Sequence, residues 1–188
     1  DDAIWMTGRL YPNGALSTTF TRVQIPATPS RPPLLFAAVS VGSSHALAVT
    51  TEGGLFAWGR GAEGALGHGT TENNDVPTEV HALKNVDVTR AAAGFGTSLV
   101  LTRSGDMWSW GKGSGLGHGG NEQSQQLLPK VIAGLPPGAP VLRIAAGGPA
   151  AACVRADGTA LSWGKCAGNS PMESNAPALL ELNHRAAI

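Results

Sequence analysis

Ala57-Trp58-Gly59-Arg60 occurs again as Trp110-Gly111-Lys112 and Trp163-Gly164-Lys165, and more loosely as Ile4-Trp5-Met6-Thr7-Gly8-Arg9. The tryptophans are evenly spaced: 58 − 5 = 53, 110 − 58 = 52 and 163 − 110 = 53. A fixed period in this range marks a repeat architecture. Two further landmarks keep the same register. One glycine stands five residues before each strong tryptophan (Gly53, Gly105, Gly158), and another stands sixteen before (Gly42, Gly94, Gly147).

Within each period the pattern predicts four short strands. In the first complete unit these are Phe36–Val41, His45–Thr50, Leu55–Trp58 and Val76–Val80, with a two-residue hairpin at Glu52-Gly53 where glycine supplies the positive φ. Pro77 suits an edge strand and not a central one. The second unit repeats this as Val88–Ala93, Ser98–Thr102, Met107–Trp110 and Leu127–Ile132. The third gives Val141–Ala146, Ala151–Arg155, Ala160–Trp163 and Ala178–Leu182. Ahead of them, Ala3–Met6 and Phe20–Ile25 read as the second half of a unit, and the breakers from Pro26 to Pro33 read as a connector.

Four-stranded antiparallel sheets arranged radially make a β-propeller. The first strand of each unit carries small side chains, Ala37-Ala38, Ala91-Ala92-Ala93 and Ala145-Ala146, as innermost strands around a channel require. Trp58, Trp110 and Trp163 are large enough to fill the space between sheets, each burying roughly 150–250 Å². Each indole N–H then needs a partner, expected to be a backbone carbonyl. The fold class is therefore all-β, a partial propeller of about three blades plus end strands. It is read as a single domain, divided into a half blade and linker (1–33), two blades (34–83 and 84–135), and a third blade with the start of the next (136–188).

The chain has 188 residues, 42% of them hydrophobic, enough for a sizeable core. Lys+Arg and Asp+Glu each number 13, so nothing in the bulk charge draws nucleic acid or an anionic membrane. No stretch approaches the ~20 apolar residues of a membrane-spanning helix. Cys153 and Cys166 lack disulfide or zinc spacing, so two free thiols in a reducing, intracellular compartment are expected. The chain begins Asp1-Asp2, partway through a unit, and reads as a piece of a longer protein.

Motifs for chemistry are lacking. The glycine-rich Gly59 to Gly69 contains no Gly-Lys-Ser/Thr and runs into another strand, unlike a phosphate-binding loop. No serine stands in Gly-x-Ser-x-Gly. His68 and His118 hold matching places in Leu-Gly-His-Gly, but neither has a nearby ligand pair of the kind zinc needs. No catalytic residue, metal or cofactor is expected. Trp108 and Trp110 lie two apart, on one strand face, which suggests packing between blades.

Val41-Gly42-Ser43-Ser44-His45-Ala46-Leu47-Ala48-Val49-Thr50, followed by Trp58-Gly59-Arg60 and Gly64-Ala65-Leu66-Gly67-His68-Gly69, resembles the regulator of chromosome condensation repeat. The second unit keeps Trp110-Gly111-Lys112 and Gly115-Leu116-Gly117-His118-Gly119. The third keeps Trp163-Gly164-Lys165 but loses Leu-Gly-His-Gly. The resemblance implies a seven-bladed ring. The remaining blades would come from the same protein, a second copy or a partner, since open sheet edges invite pairing.

It also implies a function. The leading expectation is a non-catalytic scaffold that binds protein partners through blade loops, within a larger assembly in the cytoplasm or nucleus. The alternative is guanine nucleotide exchange on a Ran-type small GTPase, which family members perform with acidic and histidine residues on loops between first and second strands. The matching positions here are Ser44 and His45, then Gly96 and Thr97, then Pro149 and Ala150. Ser44, His45 and Thr97 are the candidate partner-binding residues, although Ser44 is not acidic. The structural alternative for His45 is a bond to a neighbouring backbone group that fixes its hairpin.

Overall fold

The computed structural model describes residues 4–9, 16–23, 34–119, 124–165 and 174–179. Three four-stranded antiparallel sheets follow one another along the chain. The first blade contains β3 (Phe36–Val41), β4 (His45–Thr50), β5 (Leu55–Gly59) and β6 (Asn74–Glu79). The second contains β7 (Val88–Ala93), β8 (Thr97–Thr102), β9 (Met107–Lys112) and β10 (Gln125–Val131). The third contains β11 (Val141–Gly147), β12 (Ala150–Arg155), β13 (Ala160–Gly164) and β14 (Ser174–Leu179). Within each sheet, strands neighbour in sequence order. A separate pair, β1 (Trp5–Arg9) with β2 (Leu16–Arg22), forms the half blade. The Pro26–Pro33 connector and Cys166 lie outside the described residues.

The blades meet through their tryptophans. The inner strands of blade one turn Leu47, Val49, Leu55 and Ala57 toward blade two, which answers with Val100 and Trp110. Blade two turns Leu99, Leu101 and Met107 toward Ala151, Cys153, Leu161 and Trp163 of blade three. Alternation along a strand makes this possible, because successive residues serve opposite faces. Trp58 points the other way, onto Ala46 and Ala48 with Ile4 and Phe36 against them. Trp58, Trp110 and Trp163 are all buried, whereas Trp5 in the half blade is 53% exposed.

The Leu-Gly-His-Gly loop is the clasp. Trp110 Nε1–H donates to Ala65 O at 2.9 Å, and Trp163 Nε1–H donates to Gly115 O at 2.8 Å. Each indole thus hangs on the loop of the preceding blade. Gly67 lies flat on this contact, with φ +74 and an added Cβ only 2.7 Å from Trp110 Nε1; Gly117 repeats it at φ +75 and 2.9 Å from Trp163 Nε1. Further out, Gly69 N–H donates to Leu127 O and Gly119 N–H to Asn175 O, tying each loop to the next blade's outer strand. The expected carbonyl partner is present for two tryptophans; Trp58 Nε1 has none among the described residues.

The strand boundaries shift from expectation at two places. Third strands run on through Gly59, Lys112 and Gly164, and outer strands start two to four residues earlier, at Asn74, Gln125 and Ser174. The reason is a register break in each outer pairing. Pro77, Pro129 and Pro177 stand one residue before pairing resumes at Thr78, Lys130 and Ala178. A proline cannot donate to a ladder, so it sits at an irregularity on the edge strand. The half blade also shifts, to Trp5–Arg9 and Leu16–Arg22.

The hairpins have three loop residues rather than two. Thr50 N–H bonds Gly54 O while Gly53 N–H bonds Thr50 O, and the pattern recurs from Thr102 to Asp106 and from Arg155 to Thr159. Gly53, Gly105 and Gly158 take φ of +83, +91 and +83 at the last loop position, a type I turn closed by a left-handed residue. The second glycine row serves close approach: a Cβ on Gly42 would meet Gly94 O of the next blade, and one on Gly94 would lie 3.2 Å from Gly148 O. Gly147 meets nothing, since no described blade follows it.

Candidate functional site

The loops between first and second strands form one rim. Ser43 N–H donates to Gly94 O and Phe95 N–H to Gly148 O, both at 3.1 Å, so the loops of three blades are joined in series. Ser43 Oγ adds a bond to Phe95 O at 2.6 Å. The Trp-Gly-Arg/Lys motif brings a second set of groups to this rim. Gly59, Gly111 and Gly164 have φ of +105, +103 and +85, and a Cβ on each would strike the carbonyl oxygen of Ser44, Gly96 or Pro149. The following N–H then bonds that carbonyl: Arg60 to Ser44 O at 2.8 Å, Lys112 to Gly96 O at 3.0 Å, and Lys165 to Pro149 O at 3.3 Å. Three cationic residues are thereby anchored by their main chain at equivalent places on the rim.

The candidate residues divide. Ser44 is exposed in its loop. His45 and Thr97 are each 3% exposed. Thr97 Oγ1 donates to Lys112 O at 3.0 Å and braces the rim from beneath. His45 Nε2 lies 2.8 Å from Ser98 Oγ on the next blade. Ser98 has one hydroxyl proton, and it goes to Ala65 O at 2.7 Å, the carbonyl that also accepts Trp110. His45 must therefore donate from Nε2, leaving Nδ1 bare, buried and unpartnered. Burial lowers the imidazole pKa from 6.5 to about 4, so the ring is neutral at pH 7. His45 thus bonds a side chain across the blade interface rather than a backbone group in its own hairpin.

His68 and His118 turn back onto their own blades. His118 Nε2 is 3.0 Å from Ser109 Oγ, whereas His68, half-buried at the corresponding place, leaves Nε2 buried with no hydrogen-bond partner among the described residues. Burial is the main cause lowering both. Among the described residues no three His, Cys, Asp or Glu side chains gather as metal ligands. Cys153 is a buried free thiol, its pKa raised by that burial.

Sequence reasoning passed over four features of the rim. Phe95 is 66% exposed, in a place held by Ser43 and Gly148 in the neighbouring blades. Glu63 is the one non-glycine residue with positive φ (69) among those described, and its carboxylate reaches over Gly96. Lys112 and Lys165 join them in a cleft of about 370 Å³ between blades two and three. The signal was available in the aromatic outlier at position 95 and in the cation that follows each Trp-Gly.

The regulator of chromosome condensation (RCC1) repeat model matches residues 52–101, and a second model of the same repeat matches 36–65 and 88–115. The chain belongs to the RCC1 repeat family. The 52–101 match begins in the hairpin of blade one and ends in the second strand of blade two, so an RCC1 sequence unit spans the junction that a blade does not. The E3 ubiquitin-protein ligase HERC2 of Mus musculus is 39% identical over 131 residues, 68% of this RCC1-repeat chain, which spans only 3% of the ligase. Human WBSCR16 shares the fold with a TM-score of 0.74 at 22% identity, over 93% of this chain and 44% of that one. Prp20p of Saccharomyces cerevisiae, which has binding properties to Gsp1p and histones, gives a TM-score of 0.74 at 21% identity, over 96% of this chain and 48% of its own.

Proposed function

We propose that this RCC1-repeat segment is a non-catalytic protein-interaction scaffold that engages partners through its blade-loop rim, inside the cell and as one part of a larger assembly. The observation that carries this reading is the series of main-chain bonds from Ser43 to Gly94 and from Phe95 to Gly148. They hold three loops as one preorganised surface, with Ser44, Phe95 and the cations facing outward. Rigid presentation lowers the ordering cost of binding. Exposed aromatic and Arg residues are the types that dominate interface energetics.

Guanine nucleotide exchange on a small GTPase is the second reading, favoured by the similarity to Prp20p and its Gsp1p binding. Two positions where exchange factors of the family carry interacting side chains, His45 and Thr97, point inward here. The charged groups fixed along the rim by the Trp-Gly motif are cations. Both readings are tested together. Ran-type GTPases loaded with a fluorescent nucleotide are mixed with the protein, and affinity capture is run with wild type and Phe95→Asp. The scaffold reading expects spontaneous nucleotide release only, and loss of captured partners in the variant. Accelerated release would install the exchange reading, and capture unchanged by Phe95→Asp would remove the rim from the interaction.

A further inference from the structure

The two junctions between complete blades are not alike on the rim. At the first, Glu63 stands at positive φ and lays its carboxylate over Gly96, covering the loop between the first and second strands of blade two. The length of blade one's own loop makes this possible. Leu66 follows Trp58 by eight residues (66 − 58 = 8), whereas Leu116 follows Trp110 by six (116 − 110 = 6). Blade two's loop is thus two residues shorter and has no counterpart of Glu63 to lay over blade three. Ser114 Oγ reaches Pro149 O at 3.1 Å, and Pro149 itself stays exposed.

A second difference widens the gap. The place of Phe95 is held in blade three by Gly148 (95 + 53 = 148), so no ring closes that side. A Cβ added to Gly148, or to Gly113 in the short loop, would meet nothing within 4 Å. What remains is the cleft of about 370 Å³ lined by Glu63, Phe95, Lys112, Gly148, Pro149 and Lys165. It lies near the lower end of the size range for ligand clefts and admits the tip of a loop rather than a folded domain. Charge does not select its occupant: Lys112 and Glu63 are of opposite sign, and Lys165 is already engaged. An incoming group meets the exposed Phe95 ring, Pro149 and bare glycine backbone.

We propose that this cleft takes an uncharged, apolar side chain from a loop of a protein partner, seated between Phe95 and Pro149. The partner's loop supplies the cover that blade one's loop supplies at the first junction and that blade two's loop is too short to give. The proposal rests on the reading of the rim as the interaction surface and names the chemistry that the rim selects. Phe95 is the anchor. Its main chain is already held by the bond from its N–H to Gly148 O and by Ser43 Oγ on its carbonyl, so its ring is presented at little further ordering cost. A phenyl ring brings a large apolar contact area to such a site. The ring adds nothing to the loop itself, since Ser43 and Gly148 hold the same place in the other blades without one.

The test is a titration of the full chain, followed by amide NMR, with three small probes: the N-acetyl amides of leucine, aspartate and lysine. The expected result is that the leucine probe alone moves the amide signals of Gly96, Gly113 and Gly148, and does so equally at low and high salt, as an uncharged contact should. Phe95→Ala should weaken that response by several-fold. Inserting Ala-Glu between Gly113 and Ser114 gives blade two the loop length of blade one, and should abolish it. Unshifted indole signals of Trp110 and Trp163 show that the blades of each variant are still stacked; Phe95→Ala, which leaves the loop intact, carries the test if the insertion does not fold. Equal shifts from the aspartate or lysine probe, a response that fades with salt, or one indifferent to Phe95→Ala overturns the proposal. No response to the leucine probe, with Phe95→Asp still abolishing partner capture, removes the cleft and leaves the rim reading standing. If capture also survives Phe95→Asp, the rim reading falls with it.

Discussion

Trp110→Ala is expected to cost about 3–5 kcal/mol of folding stability, the range for emptying a fully buried aromatic site. Trp110 is 0% exposed at the centre of the interface between blades one and two. Its loss opens a void beside Leu47, Val49 and Leu66, which belong to the neighbouring blade and cannot collapse as a unit. Trp110→Phe should cost less, since the ring still fills most of the site. The hydrogen bond to Ala65 O disappears, but that carbonyl keeps Ser98 Oγ as a donor, so about 1 kcal/mol is expected beyond the small volume change. Gly67→Ala attacks the same contact from the other side, combining positive φ with a Cβ placed on the indole nitrogen. It should fall between the two, at about 2–3 kcal/mol. Trp5→Ala, at an exposed position, is the control and should stay within about 0.5 kcal/mol. Urea unfolding midpoints rank the four. A Trp110→Ala protein as stable as Trp5→Ala would remove the indole from any wedge role.

Acidification should destabilise the protein before any carboxylate titrates, and His45 should be the main cause. Its folded pKa, about 4, lies below the ordinary 6.5 because the ring is buried. Between those values the unfolded chain binds a proton that the folded chain refuses. Stability therefore rises with pH across this window, is full above 6.5, and is lost progressively as pH falls toward 4. The span corresponds to about 3 kcal/mol at most. His68 and His118, also lowered by burial, act in the same direction. His45→Asn, which keeps an amide donor toward Ser98, should flatten most of the slope while leaving stability at pH 7 within about 1–2 kcal/mol of wild type. Unfolding midpoints collected from pH 7 to pH 4 decide it. An unaltered slope in His45→Asn assigns the pH dependence elsewhere.

The blade architecture was legible because the propeller writes its period in large residues. Trp58, Trp110 and Trp163 must be big, and Gly42 and Gly53 must be small or left-handed, so sterics alone keep them in register. Strand ends were less legible. The continuation through Gly59 and the early start at Asn74 depend on how the outer strand breaks register around Pro77, a property of two segments fifteen or more residues apart. The site was legible only in part. Ser44 stands in the loop between first and second strands and His45 and Thr97 open the second strands, but sequence does not say which side of the rim a side chain takes. His45 is drawn inward by Ser98, fifty-three residues away on another blade. The cations at Arg60, Lys112 and Lys165 were visible within the Trp-Gly motif, yet that the main-chain N–H carries the contact to the preceding loop emerges only from the structure.

The account depends on each blade's indole being seated in the loop of the blade before it. Hydrogen exchange at the indole N–H groups, followed by NMR on tryptophan-labelled protein, tests this directly. Trp110 and Trp163, bonded to Ala65 O and Gly115 O, should exchange slowest, and the exposed Trp5 fastest. Trp110 and Trp163 exchanging as fast as Trp5 would mean that the blades are not stacked in this way.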